Sequence, residues 1–301
     1  MLSICIPVFN VNITKLIHTI IEQVEFNDFT IEILIYDDGS STKYKTINQP
    51  VVNYKEVKYK ELERNIGSAA IRNLMASNAA YNNLLFVDSD SEIPKDYLAN
   101  YFSQLNKHLI LCGGRKHPEQ LPSANKRLRW IVGKNREDFG AKERALIPNK
   151  SFMSNNFLVK KELFEKIKFD ENIKRSGHED TMMGIEMECN NITIQHIDNP
   201  VIHIGLEDND EFIAKTKQRT ETLLFLLDEK SEYKNLMKKR IKLLRYFYLA
   251  KATGTIKLFA YLYKTLQNQI EKNLSSKSPS MFLFDLLKIG YLSKIYLSKY
   301  K

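Results

Sequence analysis

Asn83-Leu84-Leu85-Phe86-Val87-Asp88-Ser89-Asp90 sets an unbroken apolar run against two carboxylates spaced one residue apart. Such a run reads as a strand buried on both faces, and it delivers Asp88 and Asp90 to the carboxyl edge of a sheet. Ligands of open α/β sheets bind at that edge. Residues two apart on an extended chain point the same way, so both carboxylates can face one hard cation. A polar turn ahead of the helix that follows Pro94 explains an isolated Asp-x-Asp equally well. The decision therefore rests on what surrounds the stretch.

Upstream the same order of events recurs. Leu2 to Ile6 is a short β-branched run stopped by Pro7, and Thr14 to Ile21 follows with helical periodicity. Ile31 to Tyr36 is a second strand, and it too ends in carboxylates, Asp37-Asp38-Gly39-Ser40-Ser41. Glu56 to Tyr59 reads as a third strand, and Asn65-Ile66-Gly67-Ser68 opens a helix that carries Arg72. This alternation predicts an α/β fold, a Rossmann-like, doubly wound and mostly parallel sheet. Downstream come a helix over 95–104 and a strand over 109–112. Residues 113–148 then mix Gly, Pro and basic residues without a period, which predicts a mobile functional loop or a disordered one. A strand over 152–159, a helix over 160–167, a helix from Glu179 to about Glu188, a strand over 192–197 and Pro200-Val201-Ile202-His203 follow. From Glu211 onward the pattern is helical, with about three helices after Lys234 and breaks near Thr253-Gly254 and Ser275 to Pro279.

At 301 residues, 43% hydrophobic and 27% charged, the chain can bury a full core as a soluble globular protein. Cys5, Cys112 and Cys189 lie far apart, which argues against a disulfide framework or a zinc cluster and points to a reducing cytoplasm. Met1 to Pro7 lacks the basic and apolar regions of a signal peptide. No apolar run reaches the roughly 18–20 residues of a spanning helix. The net charge of +9 conceals an asymmetry. Residues 233–301 carry 15 Lys+Arg against Glu271 and Asp285, a balance of +13, so residues 1–232 carry −4.

Four stretches taken in order, Ile4-Cys5-Ile6-Pro7-Val8-Phe9-Asn10, Asp37-Asp38-Gly39-Ser40-Ser41, Asp88-Ser89-Asp90 and Gly177-His178-Glu179-Asp180, resemble a family 2 glycosyltransferase of the GT-A fold. Each motif alone is weak; the ordered set is specific. The resemblance covers roughly residues 1–206 and implies a catalytic domain there, with 207–301 as a basic helical C-terminal extension. It implies that Pro7, Phe9 and Asp38 hold the nucleotide, that Arg72 reaches the base or the phosphates, and that Asp88 stands beside them. Asp88 and Asp90 then bind a Mn2+ or Mg2+ ion bridging the diphosphate, Asp90 as the direct ligand, with His203 as a third ligand. Glu179 orients the acceptor and Asp180 is the general base. Asn155 and Asn156 line the donor sugar. His178 departs from the small or aromatic residue that the family places before Glu-Asp, and it either touches the acceptor or is simply exposed.

Plainer readings stand beside these. A lone His on a strand is often a satisfied core residue, Arg72 can lie on a solvated helix face, and Glu179-Asp180 suits any helix N-terminus.

The expected activity is metal-dependent, inverting transfer of a sugar from a nucleotide-sugar donor, a UDP-sugar first, to a hydroxyl of a glycan or lipid-linked acceptor. By family analogy the setting is bacterial surface polysaccharide or lipopolysaccharide assembly at the inner face of the cytoplasmic membrane. Lys238 to Tyr248 mixes cations and apolar residues at helical spacing, so residues 233–301 are expected to contact anionic membrane. The plainer alternative is an ordinary helical subdomain with solvated lysines. Nucleic acid is disfavoured, because the charge comes without a recognisable binding module. One rival reading is a nucleotidyltransferase on a related fold, but Pro7-Val8-Phe9-Asn10 is not its glycine-rich phosphate loop. A catalytically silent glycan- or membrane-binding protein is the other, and the joint presence of Asp38, Asp88, Asp90 and Asp180 argues against it.

Overall fold

Strand alternation builds the core. The computed structural model describes residues 1–173 and 177–300. In β1 (Leu2–Val8), Leu2, Ile4, Ile6 and Val8 enter one apolar cluster, while Cys5 enters another on the opposite face. The strands β2 (Ile31–Asp37) and β4 (Asn83–Val87) divide their side chains in the same way. The helix Thr14–Asn27 covers the first face with Leu16, Ile17, Ile20 and Val24, and the helix Ser68–Asn78 covers the second with Ile71, Met75 and Ala76. Each such Leu, Ile or Phe contributes about 1.5–3 kcal/mol by leaving water.

With β3 (Val57–Glu61), β6 (Ile110–Cys112), β8 (Asn156–Lys160) and β9 (Gln195–His196), these strands form a seven-stranded sheet in the order β3-β2-β1-β4-β8-β6-β9. β3, β2, β1 and β4 run parallel, β8 runs against both neighbours, and β6 and β9 are parallel. The sheet is thus mostly parallel, as expected. Because β1 and β2 pair with Val8 opposite Asp37, the carboxyl ends of neighbouring strands share one edge, and Asp38 and Asp88 stand just past it. A small second sheet pairs β10 (Val201–His203) antiparallel to β5 (Ser91–Glu92) and parallel to β7 (Arg115–Lys116). Its register sets His203 opposite Ser91, next to Asp90.

The chain divides into two compact units, the first comprising residues 1–118, 137–174 and 182–205, and the second 119–136, 175–181 and 206–301. In the second unit, Leu128 and Val132 of the helix Arg127–Arg136 share a core with Phe212, Ile213, Tyr263 and Phe284. The long helices there are Asn209–Glu229, Ile256–Leu274 and Met281–Lys299, and four helices follow residue 233 where the sequence suggested about three.

The main departure from expectation is residues 113–148, which hold a strand and two helices, Arg127–Arg136 and Ala141–Ala145. Within the first unit, Arg144 is 2% exposed and donates to the carbonyls of Cys112, Gly113, Phe139 and Ile197 at 2.8–3.2 Å. A buried guanidinium satisfied by several acceptors orders a segment that has no apolar period of its own. The strand expected over 152–159 begins only at Asn156, and the one over 192–197 shrinks to Gln195–His196.

Candidate active site

At the edge past β1 and β2 the backbone turns sharply. Asn10 adopts φ 54°, its amide donates to Ser40 Oγ at 2.8 Å, and its Oδ1 accepts from the Ser41 amide at 2.9 Å. Pro7 is half-buried, and Phe9 is exposed with its ring available to a flat ligand. Asp37 is fully buried and accepts from the Ser40 amide and the Tyr59 hydroxyl. Asp38 is buried as well, and its two oxygens accept from the amides of Ile66 at 2.7 Å and Gly67 at 3.1 Å. Burial pushes its carboxyl above the usual range, the two amides pull the other way, and the Asp37 charge adds to the rise. The carboxylate therefore ties the β2 exit to the loop that starts the helix Ser68–Asn78.

That helix delivers Arg72. Its guanidinium is 6% exposed, donates from Nη2 to Asp88 Oδ1 at 2.5 Å and from Nη1 to the Ser68 carbonyl, and lies over the Phe169 ring. The solvated-face reading of Arg72 is thereby excluded.

Asp90 lies one residue beyond Ser89. Its Oδ2 is 3.3 Å from His203 Nδ1, and its carbonyl accepts from the Ile204 amide. Burial raises the Asp90 carboxyl, but its hydrogen bond and charge contact with His203, with Arg115 nearby, outweigh this and hold it below the usual range. His203 is 8% exposed, and its Nε2 is buried with no hydrogen-bond partner. Leaving such a group unmatched costs roughly 1–3 kcal/mol. Asn155 is similar: it is 4% exposed, and both its amide oxygen and nitrogen are buried without partners, while its backbone carbonyl accepts from the Asp88 amide.

Asn156 is different. It is fully buried, its oxygen accepts from the hydroxyls of Tyr97 and Tyr101 at 2.7 Å, and its nitrogen donates to the carbonyls of Gly114 and Asn199 at 2.8 Å. The sugar contact expected of Asn156 does not fit this geometry, since its amide is saturated within the fold.

The second unit holds the other predicted residues. Gly177 and His178 both take positive φ, 119° and 71°, and Glu179 and Asp180 form the first turn of the helix Glu179–Cys189. Glu179 Oε2 accepts from the Gly177 amide at 2.8 Å. Burial pulls the His178 imidazole down to about 4, with Glu179 opposing and Arg219 reinforcing the shift, so the ring is neutral at physiological pH. Ser176, which precedes this motif, lies outside the described residues.

Sequence reasoning missed a cluster beside His203. His117 is 1% exposed, its Nδ1 is 2.6 Å from Asp138 Oδ1, and its ring meets that of His203 edge-on at 5.5 Å. Arg115 donates to Glu137 at 2.5 Å. The only signal was an acidic pair, Glu137-Asp138, in a stretch without periodicity. A cleft of about 480 Å³ lies against Ser89, Ser91, Ile202 and Ile204, whose neighbours Asp88, Asp90 and His203 do not line it.

Asp90 and His203 are the residues that could hold a manganese-type cation, one through oxygen and the other through nitrogen, and the imidazole nitrogen without a partner is His203's own Nε2. Among the described residues, no three His, Cys, Asp or Glu side chains gather into a metal-holding group. Such a cation would need ligand oxygens to complete its shell.

The profile of glycosyl transferase family 2 matches residues 3–168, which span β1 through β8 and both carboxylate pairs. The chain belongs to that family. A relative in Haemophilus influenzae named as an uncharacterized glycosyltransferase is 32% identical over 116 residues, 38% of this chain and 46% of its own length. A mannosyltransferase from Pyrobaculum calidifontis, solved with GDP-Man and Mn2+, shares the fold at TM-score 0.55 and 13% identity, covering 98% of this chain and 87% of its own. S. aureus TarS aligns at TM-score 0.47 and 20% identity over 74% of this chain and 39% of its own. This family 2 chain therefore spans less than half the length of the Haemophilus relative and of TarS.

Proposed function

We propose that the chain is an inverting glycosyltransferase that uses a nucleotide-sugar, with residues 1–206 as its catalytic domain and 207–301 as a helical extension. The observation that carries this reading is the Asp90–His203 pair with its unmatched imidazole nitrogen, set at the sheet edge one residue from the Arg72–Asp88 ion pair. The complex of the Pyrobaculum mannosyltransferase with GDP-Man and Mn2+ supports a nucleotide-sugar and a divalent cation.

Phe9 and Pro7 flank the base, and Asp38 shapes the pocket by holding the 65–67 loop while its remaining lone pairs face the nucleoside. Arg72, fixed by Asp88, presents positive charge toward the phosphates. A Mn2+ or Mg2+ ion held by Asp90 and His203, with Asp88 close by, would neutralise charge on the departing nucleotide diphosphate. Asn155 offers its unpaired amide to the donor sugar. Glu179 is given the role of orienting the acceptor hydroxyl and Asp180 that of taking its proton. The oxygen then attacks the anomeric carbon from the face opposite the nucleotide, and the sugar inverts. Neutral His178 contacts the acceptor as a hydrogen-bonding group.

The acceptor is a glycan or lipid-linked glycan of surface polysaccharide or lipopolysaccharide assembly, and residues 233–301 hold the enzyme against anionic membrane. No helix among the described residues is long and apolar enough to cross a membrane.

The test is release of the nucleotide leaving group, UDP, GDP, CMP or dTDP, from the corresponding nucleotide-sugars, with manganese and with chelator. Release from one donor only, abolished by chelator, is expected. Absence of both release and cation-dependent nucleotide binding would overturn the proposal.

A further inference from the structure

Two helices of the second unit turn an unusual face outward. The helix Lys242–Ala252 buries Leu244, Phe247 and Ala250, and its opposite side carries Arg245, Tyr246 and Leu249. The helix Ile256–Leu274 buries Ile256, Tyr263, Ile270 and Leu274, and its opposite side carries Lys257, Leu258, Tyr261 and Lys264. The inward stripes meet the helix Met281–Lys299, with the Phe247 ring 5.1 Å from Tyr296 and the Tyr263 ring 5.7 Å from Tyr291. Both outward faces are therefore turned away from that helix. The two are joined by the short turn Thr253-Gly254-Thr255, where Gly254 takes φ 73°.

The exposed side chains are large. Tyr246, Leu249, Leu258 and Tyr261 are 52%, 62%, 53% and 64% exposed, an aromatic and a leucine three residues apart on each helix. Between Lys242 and Ile270 there are five cations and no acid. The absence of acids selects an anionic partner. The leucines select a partner with an apolar interior, because a hydrated polyanion would leave them in water. Tyrosine favours the boundary between the two phases. An anionic lipid surface meets all three conditions.

We propose that the hairpin 242–266 is an interfacial wedge for anionic lipid. Tyr246, Leu249, Leu258 and Tyr261 enter the boundary of headgroups and acyl chains, and Arg245, Lys257 and Lys264 face the lipid phosphates. This rests on the reading of residues 233–301 as the membrane-facing segment and narrows it to one hairpin.

The full chain is sedimented with vesicles of phosphatidylcholine alone and of phosphatidylcholine with about 30% phosphatidylglycerol. Adsorption to the second only is expected. The pair Leu249→Ser and Leu258→Ser lowers it about tenfold, and Arg245→Gln, Lys257→Gln and Lys264→Gln lower it about five-fold each. Circular dichroism is unchanged throughout, since these side chains are exposed. Full adsorption by the leucine pair overturns the wedge, as does displacement by soluble polyphosphate that is equal in parent and leucine pair. If neutralising Lys234, Lys238, Lys239 and Arg240 abolishes adsorption while the hairpin variants retain it, the hairpin is wrong and the broader reading of the segment stands. If the parent does not adsorb at all, both fall.

Discussion

Gly205→Ala tests the donor pair without touching either member of it. A Cβ built on Gly205 falls 2.7 Å from Asp90 Cβ and 2.8 Å from Asp90 Cγ, and closer still to Oδ2. Carbon atoms rest at about 3.5–4.0 Å, so Asp90 must retreat by roughly 1 Å. A new rotamer does not suffice, because the near contact includes Cβ. Gly205 is not among the residues with positive φ, so alanine suits its backbone and the effect is confined to the contact. Misplacing a positioning group by about 1 Å costs about 100-fold in rate, equivalent to about 2.7 kcal/mol at the transition state. The assay is donor hydrolysis across a manganese titration, paired with calorimetry of nucleotide binding and a thermal melt. The expected result is a loss of about 100-fold, a right-shifted manganese dependence and a folded protein. Hydrolysis within about threefold of the parent, with unshifted manganese dependence, would refute the role given to Asp90.

Three further outcomes are expected. Asp180→Asn leaves donor binding intact and cuts transfer by about 100 to 10,000-fold, so near-normal transfer by this variant excludes it as the base. Glu32 is buried and accepts from Ser3, Lys58 and the Ala80 amide; burial raises its carboxyl, but these bonds win and hold it below the usual range. A depressed carboxyl stabilises the fold above its unfolded pKa and loses that contribution as pH falls through its folded value. Glu32→Gln therefore melts well below the parent at pH 7, by about 2 kcal/mol, and the gap closes in acid; a gap that persists at low pH contradicts the charge argument. Gly290 sits where a Cβ would lie 2.5 Å from Tyr263 Cβ and 3.1 Å from the Phe259 carbonyl, so Gly290→Ala costs about 1–3 kcal/mol in denaturant unfolding, whereas an unchanged midpoint would show that the helices separate freely.

Local pattern carried much of the architecture. The run over 83–87 is β4 residue for residue, because a strand buried on both faces needs nothing but apolar side chains. The carboxylates at the ends of β2 and β4 were equally plain, since strand ends in a parallel sheet fix their own edge. Residues 113–148 were illegible because their order comes from single polar contacts over long separations, Arg144 to Ile197 and His117 to Asp138 among them. Asn156 misled for a related reason. Its neighbours in sequence resemble a ligand loop, but the groups that saturate it, Tyr97, Tyr101 and Asn199, are distant along the chain. The chemistry of an amide is visible in sequence; the satisfaction of its valences is not.

The core of the second unit has a consequence for biosynthesis. Leu128 and Val132 leave the ribosome long before Phe212, Ile213, Tyr263 and Phe284, which cover them in the finished fold. At roughly 5–20 residues per second, the nascent chain displays that apolar stripe for on the order of ten seconds. A message cut short after residue 206 never supplies the cover at all. Premature termination there is therefore expected to leave that apolar stripe uncovered.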